Sequence, residues 1–490
     1  MHNTIYPNYN QQFLLPPSIE NWVPSDHPVR FLREFVDIMD LPKLGFKERK
    51  SEDGRPNYSN ELLLKIWLYG YFEKIYSTRD LEKACNNQIP LIWLTGLNYP
   101  DHNTIWRFFH NNRKLVKEIF KQSIHIANRN GMIGFVLQAI DGTKIYADAS
   151  KCRSIHKKDL KELLSKLDES LSEIISKIDD IEEHESSKPE YKLPEKLQDK
   201  RNLKKLISEG LEELSVEEKK TLRQSVKANI KELEKGETNH LSLTDIECRL
   251  MKNKSESDFE YNAQGVVDNM HQIIVGASVT NEEFDNHQMT KMMGESKENT
   301  GKTSKETLFD GGYFSGEELA KAEEEGYSVL INLSGKDGTK NEYSKRNFVY
   351  NKEKDCYLCP HGCHLTYERT KSNKKKKYRV RVYRCHQYKD CRFREECSTD
   401  VRGRTIERTP YDDSIERQRD KQKDVSKQEL LKQRMKIVEP IFGYIKHNNH
   451  FNRWLYRGME NVQAQWNLIC TTVNLKKIYK EWKRKNVVLC

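Results

Sequence analysis

Residues 59–131 carry apolar positions at helical spacing, separated by short polar segments, and predict several short α-helices. Ser59 and Asp101 stand where helix N-caps are expected, and Ser77 and Asp80 have the spacing of a capping box. Short helices joined by tight turns are typical of a helix-turn-helix module that binds DNA. An ordinary small helical domain fits the same pattern equally well.

Residues 133–150 change to the apolar run of a buried strand, which Asp141 interrupts. Strands usually exclude aspartate, so a carboxylate in this position needs a chemical reason. Further strands are predicted at 264–268 and 273–279. Residues 307–332 predict a strand, an Asp-Gly-Gly turn, a helix and a second strand, which form one βαβ unit. Asp310 ends the first of these strands, where open α/β sheets bind their ligands.

Residues 155–235 interrupt the strands with two helical stretches. In the first stretch, apolar residues alternate at spacings of four and three, as in the a/d seam of a coiled coil: Leu160, Leu164, Leu167, Leu171, Ile174, Ile178 and Ile181. Pro189 and Pro194 break this pattern, and a looser apolar stripe follows from Leu203 to Leu233. The seam predicts either a dimer interface or an antiparallel hairpin within one chain, and the second stretch favours the hairpin.

Two further helical segments are predicted at 414–446 and 456–483. Ser426 and Glu429 have capping-box spacing, so we expect a helix to begin there. Glu439 and Lys446 are seven residues apart, which places them on one helix face. Pro440 predicts either a kink or the start of a new helix.

The chain has 490 residues, enough for about three domains. Hydrophobic residues make up 36% and charged residues 32%, which predicts a large solvated surface. No stretch approaches the roughly 18 apolar residues of a membrane span, and the first residues lack the pattern of a signal peptide. We therefore expect a soluble, cytoplasmic protein without a membrane partner.

The net charge of +10 is concentrated locally, because residues 371–410 contain 14 Lys and Arg against 5 Asp and Glu. A local basic segment indicates a polyanion as partner. Its basic residues are interleaved with tyrosines, which suits contact with phosphates and unpaired bases. The residues that we predict to bind DNA in this segment are Lys374, Lys375, Lys376, Lys377 and Arg379. A solvated hairpin without a partner is the alternative.

Six of the 11 cysteines fall between Cys356 and Cys397. In a cytosolic protein such a cluster suggests a metal before a disulfide. Two pairs, Cys356 with Cys359 and Cys385 with Cys391, form a candidate structural Zn²⁺ site. The second pair departs from the usual two-residue spacing, so buried free thiols are the alternative.

Asp141 and Asp310 are candidates for a catalytic metal centre. Carboxylates that converge from adjacent strands repel each other unless a divalent cation such as Mg²⁺ or Mn²⁺ neutralises them. Two such ions can hold the attacking and leaving oxygens of phosphoryl transfer. Glu439 supplies a third carboxylate, and Asp148 and Asp268 are nearby acids that could assist. The alternative is that the aspartates are solvent-facing turn residues and that Glu439 forms an ordinary surface ion pair.

Four motifs appear in one order along the chain: Asp141-Gly-Thr-Lys144, Tyr261-Asn-Ala-Gln-Gly-Val-Val-Asp268, Asp310-Gly-Gly-Tyr313, and the segment 438–446 followed by Arg457-Gly458. Together they resemble the DDE transposases of bacterial insertion sequences, in the branch with an N-terminal helical DNA-binding domain and a cysteine-rich insertion. The resemblance covers roughly residues 15–480. It implies an RNase H-like α/β core, metal-dependent hydrolysis at the element ends, and attack of the freed 3′ hydroxyl on target DNA.

The resemblance also implies roles for individual residues. Asp141, Asp310 and Glu439 match the family's three catalytic carboxylates, which bind the metal. Arg434 is the nearest match to the arginine of the family signature, although one residue more than usual separates it from Glu439. The residues expected to contact DNA outside the basic segment are Lys446, Arg434, Arg457 and Arg107.

We therefore predict an α/β protein with an RNase H-like catalytic core, an N-terminal all-helical domain, a coiled-coil insertion and a cysteine-rich, zinc-ribbon-like insertion. The predicted boundaries are 1–131 for the helical DNA-binding domain, 155–240 for the coiled-coil or helical-hairpin insertion, 351–410 for the cysteine-rich basic insertion, and 132–154, 241–350 and 411–490 for the core.

The function predicted from these features is DNA transposition. We expect cleavage at terminal inverted repeats and strand transfer into target DNA, with Mg²⁺ or Mn²⁺ and a structural Zn²⁺. We expect a homodimer, at least when two ends are held together, at the bacterial nucleoid. The alternatives are an RNase H-like nuclease without strand transfer and an inactive DNA-binding protein derived from a transposase.

Overall fold

The computed structural model describes residues 18–47, 57–171, 211, 214–235, 239–253, 256–333, 342–373, 378–485 and 487–489. Its first part consists of helices: α1 (Pro28–Asp37), α2 (Asn60–Phe72), α3 (Thr78–Asn87), α4 (Ile89–Leu94), α5 (His102–Asn112) and α6 (Val116–Arg129). The predicted caps are confirmed, since the Ser59, Ser77 and Asp101 side chains accept hydrogen bonds from the backbone N–H groups at the starts of α2, α3 and α5. These caps satisfy donors that a helix start leaves unpaired.

The central strand follows these helices, and the first insertion follows the strand. Strand β1 spans Leu137–Tyr146, and the insertion comprises β2 (Ser154–His156), α7 (Lys157–Ser170), α8 (Val216–Lys235) and β3 (His240–Ser242). Strands β2 and β3 pair antiparallel at the base of the insertion. Its helices α7 and α8 pack on each other, with Leu160, Leu163 and Leu167 buried in a core of their own. The remaining seam positions from Ile174 to Ile181, and Leu203, lie outside the described residues.

The main sheet adds five strands to β1: β4 (Arg249–Asn253), β5 (Glu256–Asp268), β6 (Ile274–Thr280), β7 (Glu306–Phe309) and β8 (Val329–Ile331). Its order is β4-β5-β1-β7-β8, and β6 also pairs with β5. Strands β1, β7 and β8 run parallel, whereas β5 is antiparallel to β1, β4 and β6. Helix α9 (Met289–Thr300) precedes β7, and α10 (Gly316–Glu324) joins β7 to β8, so the predicted βαβ unit is confirmed.

The cysteine-rich segment forms a second sheet. It comprises β9 (Val349–Asn351), β10 (Cys356–Leu358), β11 (His364–Asn373), β12 (Tyr378–Cys385), α11 (Arg394–Cys397) and β13 (Thr405–Arg408). All neighbours in the order β13-β12-β11-β10-β9 pair antiparallel. Tyr357, Leu365, Tyr383 and Ile406 form the centre of a small separate core.

Three helices and a π-helical turn follow: α12 (Asp412–Lys421), α13 (Val425–Gly443), the turn Tyr444–Asn448, and α14 (Met459–Lys483). The predicted cap at Ser426 is wrong. Asp424 caps α13 instead, with its carboxylate accepting from the Ser426 N–H, so the helix starts one residue before Ser426. Pro440 lies inside α13, which continues past it to Gly443.

The N-terminal helices and the main sheet share one continuous hydrophobic core. Helix α14 joins the two parts because it packs on α6, α2 and β6. Within this contact, the Gln465 side chain donates a hydrogen bond to the Tyr71 hydroxyl (2.7 Å), and the ring of Phe31 packs against Tyr479. Within the described residues, no helix is both long enough and apolar enough to span a bilayer.

Candidate active site

Two aspartates stand side by side on neighbouring parallel strands: Asp141 lies within β1 and Asp310 directly after β7, both just past the last paired residues of the two strands. Strand β1 pairs with β7 in a register that places Ala139 opposite Leu308. Asp141 lies two residues beyond Ala139, and Asp310 lies two residues beyond Leu308, so the two carboxylates follow the same register. The negative charge of Asp310 reaches Asp141 and raises the pKa of its carboxyl group. The structure therefore brings together the two aspartates that the sequence singles out.

Asp141 is held by a backbone amide and by an arginine. Its Oδ1 accepts the N–H of Gly142 (2.9 Å), and its Oδ2 is 3.0 Å from Nη1 of Arg434 in helix α13. The side chains of Asp141 and Arg434 are only 20% and 15% exposed. Burial raises the pKa of Asp141, Arg434 lowers it and Asp310 raises it, with a result of about 6. Asp141 therefore takes up a proton at a higher pH than an ordinary aspartate does.

Asp310 caps the Asp-Gly-Gly turn. Its Oδ1 accepts the N–H of Gly312 (2.8 Å), which fixes the short 3₁₀ turn Gly311–Tyr313 at the end of β7. The turn sends the side chain of Tyr313 into the core, where its hydroxyl donates a hydrogen bond to Oε1 of Gln264. The Asp-Gly-Gly-Tyr motif thereby joins the end of β7 to the middle of β5.

Asp285 is a neighbour of these aspartates that the sequence analysis missed. It lies between β6 and α9, and its Oδ1 accepts hydrogen bonds from Nδ2 of Asn262 (2.8 Å) and Nε2 of Gln264 (2.6 Å). Burial and the charge of Asp310 raise the pKa of Asp285, whereas the two amide hydrogen bonds lower it. In the sequence it is one of several acids in a polar loop, and nothing in that pattern sets it apart.

Glu439 does not face the aspartates as the sequence analysis expected. It is exposed on α13 and makes no hydrogen bond or ion pair within the described residues. Five residues of an α-helix turn through about 500°, so Glu439 points about 140° away from Arg434, which contacts Asp141. The neighbours Ile437, Val438 and Ile441 are buried. The structure thus places Arg434, rather than Glu439, beside Asp141.

The remaining residues near the strand ends have structural partners. Nζ of Lys446, in the π-helical turn, donates to the carbonyl of Lys144 (2.7 Å), three residues beyond Asp141 on β1. Arg457 pairs with Asp148 (2.8 Å) in an exposed ion pair. The Asp268 carboxylate accepts the backbone N–H groups of residues 134, 135 and 270, so its oxygens are occupied in a turn rather than in the site.

The donor atoms at the two strand ends fit a hard divalent cation in kind. Asp141 and Asp310 offer carboxylate oxygens, which Mg²⁺ and Mn²⁺ prefer. A methyl group on Gly312 would lie 3.0 Å from Oδ1 of Asp310, so glycine at this position keeps that carboxylate uncovered. Across the described residues, however, no three His, Cys, Asp or Glu side chains are grouped so that they could hold a metal ion. A metal ion held by the two aspartates would therefore need further oxygen ligands.

Two polar surfaces contain predicted DNA contacts. Arg107 is exposed and lines a cavity of about 840 Å³ together with Lys47, Asn60, Thr104 and Lys114. Arg379 is exposed on β12 and lines a second cavity, of about 480 Å³, with Lys352, Arg381 and Arg408. Arg381 and Arg408 are paired with Asp355 and Glu416, whereas Arg107 and Arg379 form no ion pair in the part of the chain that the structure describes. Lys374, Lys375, Lys376 and Lys377 lie outside the described residues.

The cysteines group differently from the predicted zinc ligands. Cys359, Cys363, Cys385, Cys391 and Cys397 line one small cavity of about 30 Å³, and the N–H of Cys363 donates to the Cys359 sulfur (3.1 Å). Cys356 does not line this cavity; its sulfur lies 3.5 Å from Nδ1 of His364. Burial and the neighbouring thiols raise the pKa of Cys363 to about 11. Cys356 is thus separate from the thiol cluster, and Cys363 and Cys397 belong to it.

Two family models match this chain. The one described as "Transposase DDE domain" matches residues 358–479, which include α13 with Arg434 and Glu439. The one described as "Transposase domain (DUF772)" matches residues 17–111, which include most of the N-terminal helices. The comparisons with curated proteins and with solved structures give no match. The two family matches and the order of the motifs support a DDE-type transposase of the insertion-sequence kind.

Proposed function

We propose that this transposase cuts DNA at the ends of its element and joins the freed 3′ ends to target DNA, with Asp141 and Asp310 as the metal-binding centre. The observation that supports this most is the shared register of the two aspartates on adjacent parallel strands. A half-buried pair of neighbouring carboxylates is unfavourable unless a cation or a proton neutralises it. Selection for stability alone would not favour such a pair at this edge of the sheet.

The order of the strands supports an RNase H-like core. Strand β1 is central, β5 and β6 extend the sheet antiparallel on one side, and β7 and β8 extend it parallel on the other. Asp141, within β1, and Asp310, directly after β7, then lie just beyond the paired part of these two neighbouring parallel strands. Open α/β sheets bind ligands at this edge, where the strand order changes direction.

Each residue of the site has a defined task in the proposed reaction. Asp141 and Asp310 would hold Mg²⁺ or Mn²⁺, which supplies the charge that polarises the phosphate and activates the attacking oxygen. The backbone amides of Gly142 and Gly312 each hold one oxygen of the two carboxylates, and the other oxygen of Asp141 accepts from Arg434. Arg434 neutralises Asp141 and can pair with a DNA phosphate when a cation takes its place.

The proposal includes Glu439 as the third carboxylate, which requires a local change of conformation. Its side chain would have to turn toward the aspartates when metal and DNA bind. Pro440 removes one helical hydrogen bond next to it, and the π-helical turn follows at Tyr444–Asn448. Both features allow a helix to adjust locally.

DNA contact is proposed for two surfaces at different places on the chain. The cavity around Arg107 suits the terminal repeat, because basic and amide side chains line it. The strand face with Arg379 suits the phosphate backbone. Two chains would be needed to hold the two ends of the element together, and we propose that the predicted homodimer forms at this step.

Product analysis tests the proposed reaction. The purified protein is incubated with Mg²⁺, a labelled DNA fragment that carries one inverted end from the DNA flanking its gene, and a target plasmid. We expect label joined to the plasmid. Nicked fragments without joined products would indicate a nuclease without strand transfer, and tight binding without cleavage would indicate an inactive DNA-binding protein.

A further inference from the structure

We infer that Asp285 is a positioning residue of the catalytic centre, which holds Gln264 and Tyr313 behind the two aspartates. This inference rests on the proposed function. Asp285 comes from the loop between β6 and α9, which carries none of the four sequence motifs. It nevertheless reaches the residues of three of them.

The first support is a chain of hydrogen bonds that Asp285 starts. Its carboxylate accepts from the Gln264 amide nitrogen, and the amide oxygen of Gln264 accepts from the Tyr313 hydroxyl. The same amide nitrogen also donates to Oδ1 of Asn262 (3.0 Å), so both ends of the Gln264 amide are fixed in one orientation. Gln264 and Tyr313 are both completely buried. If the Gln264 amide lost a hydrogen-bond partner, water could therefore not replace it.

The second support is the space that Asp285 occupies. A methyl group on Gly142 would lie 2.7 Å from Oδ1 of Asp285 and still closer to Nε2 of Gln264, which Asp285 holds, and both contacts are closer than van der Waals contact allows. A methyl group on Gly312 would lie 3.5 Å from Oδ2 of the same carboxylate. The Asp285 carboxylate therefore sits between the glycine after Asp141 and the second glycine after Asp310. This packing gives a physical reason for glycine at position 142.

In our proposal, Asp285 therefore sets the geometry of the turns at Gly142 and Gly312, and it does not contact the DNA. Gly142 donates to Asp141, and Gly312 donates to Asp310, so a shift of either turn moves a carboxylate. Partners that orient metal ligands typically change metal affinity or activity by about 10–100-fold when they are removed. An effect of this size is expected for loss of Asp285.

The test compares Asp285→Ala and Asp285→Asn with Glu283→Gln, a matched control in the same loop whose carboxylate accepts the Lys252 N–H instead. The full-length protein is assayed for end cleavage as a function of Mg²⁺ concentration, for end binding without metal, and for thermal unfolding. We expect Asp285→Ala to slow cleavage by about 100-fold and Asp285→Asn, which keeps one acceptor, by about tenfold. Half-maximal cleavage should need more Mg²⁺, while end binding and the control stay within about twofold of wild type.

A double-mutant cycle with Gln264→Leu separates positioning from a general loss of stability. If Asp285 acts through Gln264, the double variant should cleave within about twofold of the slower single variant. Effects that multiply would overturn the inference, and so would an Asp285→Ala variant that matches the control. Asp141→Asn is assayed alongside. If that variant still cleaves, the proposed function fails; if it is inactive while the Asp285 variants are normal, only the present inference fails.

Discussion

Asp141 shows how a single side chain combines opposing influences. Burial and Asp310 favour its protonated form, and Arg434 favours its ionised form, so that its pKa of about 6 lies above the ordinary value for aspartate. Protons and cations compete for the same carboxylate oxygens. Below this pH the Asp141 carboxyl group is mostly protonated, and in the proposed reaction a cation would have to displace that proton to bind. Metal binding should therefore weaken as the pH falls through this value.

The pH dependence of cleavage checks this electrostatic balance. At a subsaturating Mg²⁺ concentration, we expect the cleavage rate of the wild-type protein to fall as the pH is lowered through about 6. Arg434→Gln removes the cation that lowers the pKa of Asp141, so the midpoint of this fall should move to higher pH. Lys432→Gln, which removes an exposed charge from the same helix, is the control. A midpoint that stays in place or moves to lower pH in Arg434→Gln would contradict the assignment.

The sequence predicts residues of this site only where their local pattern is unusual. Asp141 and Asp310 stand out because they interrupt or end apolar strands, and the pairing of β1 with β7 brings them together. Asp285 could not be predicted, since its role depends on a polar loop folding back onto β5. The orientation of Glu439 could not be predicted either, because it depends on which face of α13 packs on the sheet.

At the scale of secondary structure elements, the first insertion is a helical hairpin within one chain over its described part. Helix α7 buries Leu160, Leu163 and Leu167 against α8, whose buried residues include Val226. The heptad spacing places Leu164 rather than Leu163 in the seam, whereas the structure buries Leu163 and leaves Leu164 partly exposed. The spacing of apolar residues alone does not distinguish Leu163 from Leu164, because packing against α8 and the strands β2 and β3 determines which face of α7 is buried.

Removing one of these leucines tests the hairpin. Leu163→Ala should destabilise it by about 2–5 kcal/mol, because the change leaves a cavity in a small core. We expect faster limited proteolysis within residues 157–235 and an unchanged molar mass by light scattering. Glu162→Ala, at an exposed position of the same helix, should behave like wild type. A loss of dimers in Leu163→Ala alone would show that the seam joins two chains instead.

The thiol cluster belongs to a sheet that has only a small core of its own. A structural Zn²⁺ would stabilise such a sheet, and its thiols would have to approach a common centre when the ion binds. We expect about one Zn²⁺ per chain in the purified protein and its loss in Cys391→Ser. Cys356→Ser is the control, since Cys356 lies outside the cluster. Wild-type protein without zinc would contradict the prediction, as would loss of zinc in Cys356→Ser.

At the scale of the whole molecule, the N-terminal helices share one hydrophobic core with the main sheet and do not form a separate globule. Residues of α1, α2 and α6 pack on α14, and one hydrophobic core covers both regions. The sequence showed the helices and their caps but not this contact, because the partners are more than 300 residues apart along the chain. DNA held by the N-terminal helices would therefore keep a fixed position relative to the aspartates.

The cavity around Arg107 provides a test of DNA contact at this scale. Arg107→Ala should weaken binding to the terminal repeat and reduce the slope of log affinity against log salt by about one, if the arginine neutralises one phosphate. Lys83→Ala removes an exposed charge from α3, away from the cavity, and should leave both quantities unchanged. An unaltered salt slope in Arg107→Ala would exclude a phosphate contact at this residue.

The sharing of one divalent cation by Asp141 and Asp310 can be tested by locating the ion directly. Fe²⁺ is substituted for Mg²⁺, and ascorbate and peroxide are added, so that the protein backbone is cut next to the bound ion and the cuts are mapped by mass spectrometry. We expect cuts close to residues 141 and 310 in the wild-type protein and their loss in both Asp141→Asn and Asp310→Asn. Cuts confined to other parts of the chain, or cuts that persist in both variants, would show that the two aspartates do not hold the metal.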